Sequence, residues 1–220
     1  MRRALSINPP PGDLGLEVIA FDSIANLAQQ GFVAMTIPPT GDHRARVDGK
    51  QFETFVADVL RSLGGELNDF RLEEQELVLA DDGRYRIDIT IRFTAVGVEF
   101  LVLVECKDHA RPVEREDVQI LADKKRTAGA HKGVLFSTNG FRRGAIEYAQ
   151  KHGIALVRVL EGALTYETRG AGMARIPPPP WANIPLLVAQ YIRESKPGTI
   201  RVTVLQPDTQ ADLVEFLTTR

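Results

Sequence analysis

The sequence predicts a mixed α/β domain in which a β-sheet is flanked by helices. Residues 86–93 alternate polar and apolar side chains, the period of a half-buried strand, and residues 99–105 form a second apolar run after a short turn. Residues 52–63 instead place apolar side chains every three or four positions, the period of a helix. From residue 132 onward, apolar runs alternate with helical patterns, which favours parallel strands joined by right-handed crossovers.

The predicted order of elements is helix, three strands, helix, strand, helix, strand. The first helix ends at Gly64-Gly65, and a strand containing residues 77–79 precedes the turn at residues 81–83. The hairpin described above supplies the second and third strands.

Beyond the hairpin the sequence returns to helical periodicity. A helix is expected over residues 112–128, with Val113, Ile120 and Leu121 facing inward. Three further elements are expected in order: a strand at 132–137, a helix at 141–152 and a strand at 154–159.

The chain divides into four predicted parts. Residues 1–49 form an N-terminal extension with a short helix over 21–28, residues 50–160 the core domain, residues 161–180 a proline-rich linker, and residues 181–220 a small α/β appendage. Within this appendage the expected elements are a helix near 184–195, a strand at 200–205 and a helix near 211–217.

Composition narrows the class of protein. The 220 residues carry a net charge of −2 with a pI near 6.1, which disfavours an obligate nucleic-acid coat but allows a nuclease whose acidic metal ligands lower the total. The single cysteine, Cys106, fits a reducing compartment, and no apolar run is long enough to span a membrane. We therefore expect a cytoplasmic protein that does not bind membranes.

The hairpin brings charged side chains together. If its turn centres between Val96 and Gly97, opposed residues sum to 193, and Asp88 lies across from Glu105 with Lys107 diagonal to it. The other face is then a core surface, formed by Ile87, Ile89, Ile91 and Phe93 against Phe100, Val102, Val104 and Cys106. Cys106 is accordingly interpreted as a small buried hydrophobe.

The charges on this face suit metal-assisted phosphodiester hydrolysis. Two carboxylates about 5 Å apart repel unless a cation or proton lies between them, and Mg²⁺ is commonly held by one or two carboxylates together with phosphate oxygens. Lys107 would hold or deprotonate a water, or neutralise charge on the phosphate. Asp88 and Lys107 taken singly also fit a solvated strand surface. Glu105 does not, because it closes an apolar run where an unpartnered charge is costly.

With these motifs in this order, the sequence resembles the Mrr-like branch of the PD-(D/E)XK restriction endonuclease superfamily. The resemblance covers about residues 50–160. It is carried by five segments: residues 51–56 with Leu63-Gly64, residues 86–89, residues 103–107, residues 132–141 and residues 145–156.

The resemblance implies a restriction-endonuclease-like fold and an Mg²⁺-dependent endonuclease, with Mn²⁺ as a substitute. The implied substrate is duplex DNA, often foreign or carrying modified bases. Asp88 and Glu105 would be metal ligands, Lys107 the catalytic lysine, and Glu53 an acidic residue near the same site. Many members carry Gln where this chain has Glu105, and the usual glycine-rich lead into the aspartate is altered at residues 81–86.

Several basic and polar residues are candidates for contacts with nucleic acid. They are Gln119, Lys124, Lys125, Arg142 and Arg143. For the lysines an alternative is the end of a helix, where cations complement the macrodipole. A homodimer is consistent with cutting both strands of a duplex, although no dimer face is evident.

Two other functions remain open from the sequence. The first is a non-catalytic module that keeps the fold and binds nucleic acid or protein. The second is a nuclease for RNA or branched DNA, which would share the site and differ in its substrate groove.

Overall fold

The computed structural model describes residues 15–16, 47–161, 187–196, 199–205 and 210–219. The helices in these parts of the chain are α1 (Gly49–Arg61), α2 (Arg115–Thr127), α3 (Arg143–Lys151) and α4 (Ala211–Thr218), and a 3-10 helix (Ser62–Gly65) follows α1. The strands are β1 (Gly15–Leu16), β2 (Asn68–Ala80), β3 (Gly83–Ala95), β4 (Val98–Lys107), β5 (Lys132–Ser137), β6 (Ile154–Glu161), β7 (Leu187–Lys196) and β8 (Thr199–Leu205).

These strands form one mixed sheet in the order β1-β8-β7-β6-β5-β4-β3-β2. The pairs β4–β5 and β5–β6 are parallel, so the carboxyl ends of β4, β5 and β6 meet at one edge of the sheet. β2, β3 and β4 are antiparallel, as are β6, β7 and β8. The predicted α/β class and order of core elements are confirmed.

Two hydrophobic clusters cover the two faces of the sheet. On one face, α1 and α4 pack Phe52, Leu60 and Leu213 against strand residues that include Val104 and Phe136. On the other face, α2 and α3 pack against strand residues, with buried side chains that include Val118, Leu121, Ala145, Leu103 and Leu135. The alternation of Leu103 and Val104 between the two clusters is the period-2 geometry of a central strand.

The hairpin register agrees with the prediction. Ile89 pairs with Val104 and Ile91 with Val102, so opposed residues sum to 193. The turn lies at Val96 and Gly97, whose φ angles of 53° and 75° are both left-handed. Two positive φ angles define a type I′ turn, whose twist matches that of the flanking strands.

One face assignment in the hairpin is wrong. Ile87 belongs to the cluster under α2 and α3, whereas Ile89 belongs to the cluster under α1. The alternation reverses at the rung between them, where Gln75 of β2 stands opposite Asp88 and has a φ of 54°. The β3–β4 pairing also ends here, at Ile89 and Val104. Asp88 is therefore the residue next to the last pair, where the two strands separate.

The start of α2 also differs from the prediction. Val113 is extended rather than helical, and its N–H donates to the Gly140 carbonyl at 2.9 Å. The helix begins after Glu114, whose N–H donates to the Asp117 carboxylate at 2.9 Å. Val118 replaces Ile120 as an inward residue, and Ile120 is 58% exposed.

The C-terminal region continues the same sheet. The helix expected near 184–195 is wrong, because Leu187–Lys196 is a strand between β6 and β8. Its first six residues are buried, and a strand buried on both faces has a continuous apolar pattern that resembles a short buried helix. The expected strand at 200–205 and helix near 211–217 are confirmed as β8 and α4.

The predicted helix over 21–28 and the predicted linker over 161–180 lie outside the described residues, apart from Glu161 at the end of β6. Among the helices that the structure describes, none combines the length and the apolar character that a membrane crossing requires.

The turn of the hairpin gives a first testable prediction. Val96 is fully exposed yet holds a left-handed backbone, which costs a β-branched residue about 1 kcal/mol or more. Val96→Asn should therefore stabilise the protein by about 1 kcal/mol in urea unfolding, since Asn tolerates this conformation. Val98→Asn, at an exposed strand position beside the turn, serves as the control and should bring no gain. An equal or negative effect of Val96→Asn would show that the turn is not strained.

Candidate active site

The candidate site lies where β3 and β4 separate at the carboxyl end of β4. Asp88 Oδ2 accepts a hydrogen bond from the backbone N–H of Cys106 at 2.8 Å. In a continued antiparallel ladder this N–H would bond to a backbone carbonyl of the neighbouring strand. The Asp88 carboxylate therefore replaces a backbone hydrogen bond of the ladder. This hydrogen bond fixes the Asp88 side chain where the two strands separate.

Glu105 is buried between two ammonium groups. Its residue is 5% exposed, with Oε2 3.4 Å from Lys107 Nζ and Oε1 2.6 Å from Lys124 Nζ. The side chain faces α2 because it shares the parity of Leu103, which belongs to the cluster under that helix. The two cations supply the partners that a buried carboxylate requires.

Glu53 approaches from the opposite side of the sheet. Asp48 caps α1 by accepting from the Gln51 N–H at 2.8 Å, and Phe52, Val56 and Leu60 anchor the helix in the core. Glu53 is half-buried beside this anchored face, one turn before the buried Ala57. Its carboxylate lies close enough to Asp88 for the two charges to affect each other.

The pKa of each of these two carboxyl groups lies above its ordinary value. For Asp88 burial is the largest cause, opposed by the Cys106 hydrogen bond and increased by the nearby charge of Glu105. Burial also raises the pKa of Glu53, followed by the charges of Asp88 and Glu74. The Glu53–Asp88 side of the site thus holds negative charge that lacks full compensation, and it favours a proton or a cation.

Cys106 lies on the core side of β4, as predicted. It packs against the cluster under α1, and burial raises the pKa of its thiol well above the ordinary value. A neutral buried thiol is a weak nucleophile, so Cys106 contributes packing and its backbone N–H rather than chemistry.

The donor set suits a hard divalent cation that also binds other oxygen ligands. Among the described residues no three His, Cys, Asp or Glu side chains form a complete metal-binding group. Asp88 and Glu105 can supply two carboxylates, which is a common protein contribution to an Mg²⁺ site. Both Glu105 oxygens retain a second lone pair beside their lysine partners. The residues present therefore fit such an ion.

The predicted nucleic-acid contacts occupy different environments. Lys124 lies inside the site, whereas Lys125 donates to the His152 carbonyl at 2.7 Å and ties α2 to the end of α3. Gln119 is exposed and, at about 100° per residue, lies roughly 140° around α2 from Lys124. Arg142 and Arg143 are exposed at the start of α3, and Arg143 Nε bonds to Glu147 at 2.7 Å.

Sequence reasoning missed the pairing of Lys124 with Glu105. The available signal was spacing, since Lys124 follows the buried Leu121 by three positions and so lies on the inner side of α2. Its ammonium also lies 5.9 Å from the centroid of the Tyr85 ring. The two contacts connect α2 to β4 and β3, respectively.

A comparison with protein families gives one match. The family model described as restriction endonuclease, the Mrr catalytic domain, matches residues 44–161. This range contains Glu53, Asp88, Glu105, Lys107 and Lys124. A comparison with curated proteins found no match.

Comparison with solved structures gives partial similarities. A protein of unknown function, AF1548, is 22% identical with a TM-score of 0.39, over 47% of this chain and 54% of that one. The DNA modification-dependent restriction endonuclease AspBHI is 23% identical with a TM-score of 0.34, over 48% and 27%. The MspJI restriction endonuclease, in complex with a 27-mer oligonucleotide, is 19% identical with a TM-score of 0.35, over 50% and 26%. This chain thus spans about half of the first protein and about a quarter of the other two.

The raised pKa of Asp88 predicts a pH-dependent cost in stability. Above the ordinary Asp pKa of about 3.9, the Asp88 carboxyl ionises in the unfolded chain but keeps its proton in the folded protein until its raised pKa is reached. The free energy of unfolding of the wild type therefore falls as the pH rises through the folded pKa. Asp88→Asn keeps an oxygen that can accept from Cys106 and removes this loss. It should unfold at a higher temperature than wild type at pH 7, and the difference should shrink towards pH 4.

The matched control is Asp58→Asn, whose side chain is 67% exposed on α1. It should not reproduce the pH-dependent difference. If Asp88→Asn is less stable than wild type at pH 7, Asp88 is not destabilised in the folded protein.

The pairing of Lys124 predicts a structural cost when it is removed. Lys124→Met keeps the packing stem but leaves Glu105 with one ammonium, and should lower the free energy of unfolding by about 1–3 kcal/mol. Lys151→Met, at the exposed end of α3, should change it by less than about 0.5 kcal/mol. Equal effects of the two variants in urea unfolding would contradict the Lys124–Glu105 contact.

Proposed function

Since this chain belongs to the restriction endonuclease family whose Mrr catalytic domain matches residues 44–161, we propose that it is a metal-dependent endonuclease that hydrolyses DNA phosphodiester bonds. The observation that carries this proposal is the position of Asp88, Glu105 and Lys107 at one edge of the sheet. There Glu105 is buried and paired, and Asp88 is held by the Cys106 N–H.

We assign Asp88 and Glu105 as the ligands of Mg²⁺, with Mn²⁺ as a substitute. Such an ion, when bound, supplies positive charge that polarises a phosphodiester and lowers the pKa of an attacking water. Asp88 is suited to this role because its carboxylate is fixed by a backbone hydrogen bond while one oxygen remains for another partner. Glu105 is suited because burial and two lysines restrict its rotamer.

Lys107 is the proposed catalytic lysine. Its ammonium contacts Glu105 at 3.4 Å, and its side chain is 27% exposed, so it borders both the buried carboxylate and the solvent-facing edge. As a donor, Lys107 orients the attacking water and neutralises negative charge that grows on the phosphate oxygens. The nearby Glu105 keeps it directed towards the reacting group.

Lys124 and Glu53 are proposed positioning residues. Lys124 holds one oxygen of Glu105 at 2.6 Å and leaves the other to Lys107. Glu53 adds negative charge beside Asp88, which increases the attraction of the site for a cation.

The proposed substrate is duplex DNA, including foreign DNA and DNA with modified bases. Lys107 ends β4, and Arg142 and Arg143 follow the parallel β5, so all three lie towards the same edge of the sheet. A backbone that passes along this edge meets several cations although the whole chain carries a net charge of −2. Cleavage of both strands would require two such sites, which a homodimer provides.

A non-catalytic module on the same fold is less well supported. A scaffold has no need to bury Glu105 and to place Asp88, Lys107 and Lys124 around it. A buried carboxylate with its lysine partners seldom stabilises a fold more than apolar side chains of similar volume, so stability alone does not explain this cluster. The alternative of RNA or branched DNA as substrate shares this site and is tested as an outcome below.

The proposal predicts metal-dependent cutting that needs three side chains. Supercoiled plasmid, methylated and unmethylated, is incubated with protein and Mg²⁺, Mn²⁺ or EDTA. Nicking or linearisation should occur only with metal, and Asp88→Ala, Glu105→Gln and Lys107→Ala should each lower the rate at least roughly 100-fold. Asp58→Ala and Lys151→Ala are the matched exposed controls and should cut at the wild-type rate.

The pattern of outcomes separates the candidates. Cutting of RNA or a branched duplex with the same dependence on Asp88 would reassign the substrate and keep the site. Cutting that persists in Asp88→Ala would place the chemistry elsewhere. If no nucleic acid is cut and Mg²⁺ raises the unfolding temperature of wild type no more than it raises that of Asp88→Ala, the scaffold alternative holds.

A further inference from the structure

A row of polar side chains crosses the sheet from the candidate site. Lys107 pairs with Ser137, Ser137 with Arg158, and Arg158 with Gln190, on the adjacent strands β4, β5, β6 and β7. We call these four residues the polar row. Each of them lies on the face of Glu105, because their strand neighbours two positions away include Leu135, Leu156 and Ile192 of the cluster under α2 and α3.

Three buried polar atoms in the far half of the polar row, on Arg158 and Gln190, lack hydrogen-bond partners within the part of the chain that the structure describes. Gln190 is fully buried, and neither its Oε1 nor its Nε2 has a partner among the described residues. The same holds for Arg158 Nε, and burial lowers the pKa of this guanidinium. Native proteins rarely leave adjacent buried donors and acceptors unpaired, so this cluster indicates a missing partner, and the half-buried Arg158 is the member that an external ligand can reach.

The loop after β5 covers Arg158 closely. A Cβ at Gly140 would lie 3.2 Å from Arg158 Nε, and Gly140 has a φ of 79° that favours glycine. The Gly140 carbonyl is fixed by the Val113 N–H at 2.9 Å, and Ser137 Oγ donates to it at 3.4 Å. The guanidinium is therefore held in place under a fixed backbone before any ligand binds.

We propose that Arg158 binds a backbone phosphate of the nucleic acid, distinct from the phosphate at Lys107; this rests on the proposed nuclease function. Phosphate oxygens accept hydrogen bonds from the planar guanidinium, whereas Gln190 is its neutral and fully buried neighbour across the strands. Two strand spacings separate Arg158 from Lys107, or about 10 Å. At 3.4 Å of helix rise per nucleotide, the bound phosphate lies within about three nucleotides of the cut bond.

The first test uses inorganic phosphate and therefore needs no cleavage. The arginine Nε–Hε signals of the ¹⁵N-labelled full chain are followed as phosphate is added at constant ionic strength. The signal that disappears in Arg158→Lys identifies Arg158. That signal should shift saturably in wild type, and phosphate should raise the unfolding temperature of wild type but not of Arg158→Gln.

The control is Arg71→Gln, which removes an exposed arginine on β2 that pairs with Glu99. It should retain the full phosphate response. If Arg158→Gln does not fold, the wild-type Nε–Hε shift still decides, and Arg158→Lys, which keeps the stem under Gly140, should bind phosphate more weakly. No shift of the Arg158 signal would overturn the subsite whether or not the protein cuts DNA.

The second test measures the affinity for duplex DNA as a function of salt. One lost phosphate contact should reduce the slope of log affinity against log salt by about one in Arg158→Gln but not in Arg71→Gln. If wild type cuts DNA and Arg158→Gln keeps the wild-type slope, the subsite fails while the nuclease function stands.

Discussion

The buried carboxylate of Glu105 is the constraint on which the site depends. It ends an apolar central strand, where an unpaired charge would be strongly destabilising, and it is stabilised by Lys107 from its own strand and Lys124 from α2. Lys107 and Glu105 share β4, whereas Lys124 belongs to α2, so the Lys124–Glu105 pair forms only when α2 packs correctly on β4. The packing of α2 on the sheet and the assembly of the site therefore occur together.

The orientation of the Asp88 carboxylate depends on an irregularity in the sheet. The β3–β4 ladder stops at Ile89 and Val104, and the faces of β2 and β3 reverse at the rung of Gln75 and Asp88. This interruption frees the Cys106 N–H from the ladder and gives it to the Asp88 carboxylate at 2.8 Å. A regular hairpin would place Asp88 in an uninterrupted row and leave it free to rotate. The irregularity thus fixes the orientation of the Asp88 carboxylate.

The sequence allowed the hairpin to be predicted because two local rules act together. The turn at Val96-Gly97 determines the register, and the register determines which residues face Asp88. The reversal at Gln75 could not be predicted, since a left-handed glutamine has no distinctive sequence pattern. The prediction of a helix near 184–195 was wrong for another reason. The segment is a strand that is buried on both faces, and such strands lack the polar–apolar alternation by which a strand is recognised. The contact of Lys124 with Glu105 depends on how α2 packs, which periodicity alone does not specify.

Charge is distributed unevenly within the site, and this asymmetry has a mechanistic consequence. Glu105 has two cationic partners, whereas the pKa values of Asp88 and Glu53 are raised by burial and by neighbouring carboxylates. A divalent cation would therefore gain most on the Asp88 side and meet repulsion from the lysines on the Glu105 side. If Asp88 and Glu105 hold a cation as proposed, Asp88 would bind it more strongly, and Glu105 would share its oxygens between the cation and the lysines. Under the proposed function, Lys107 would then be available to a phosphate, and the ammonium and the cation would stabilise its negative charge together.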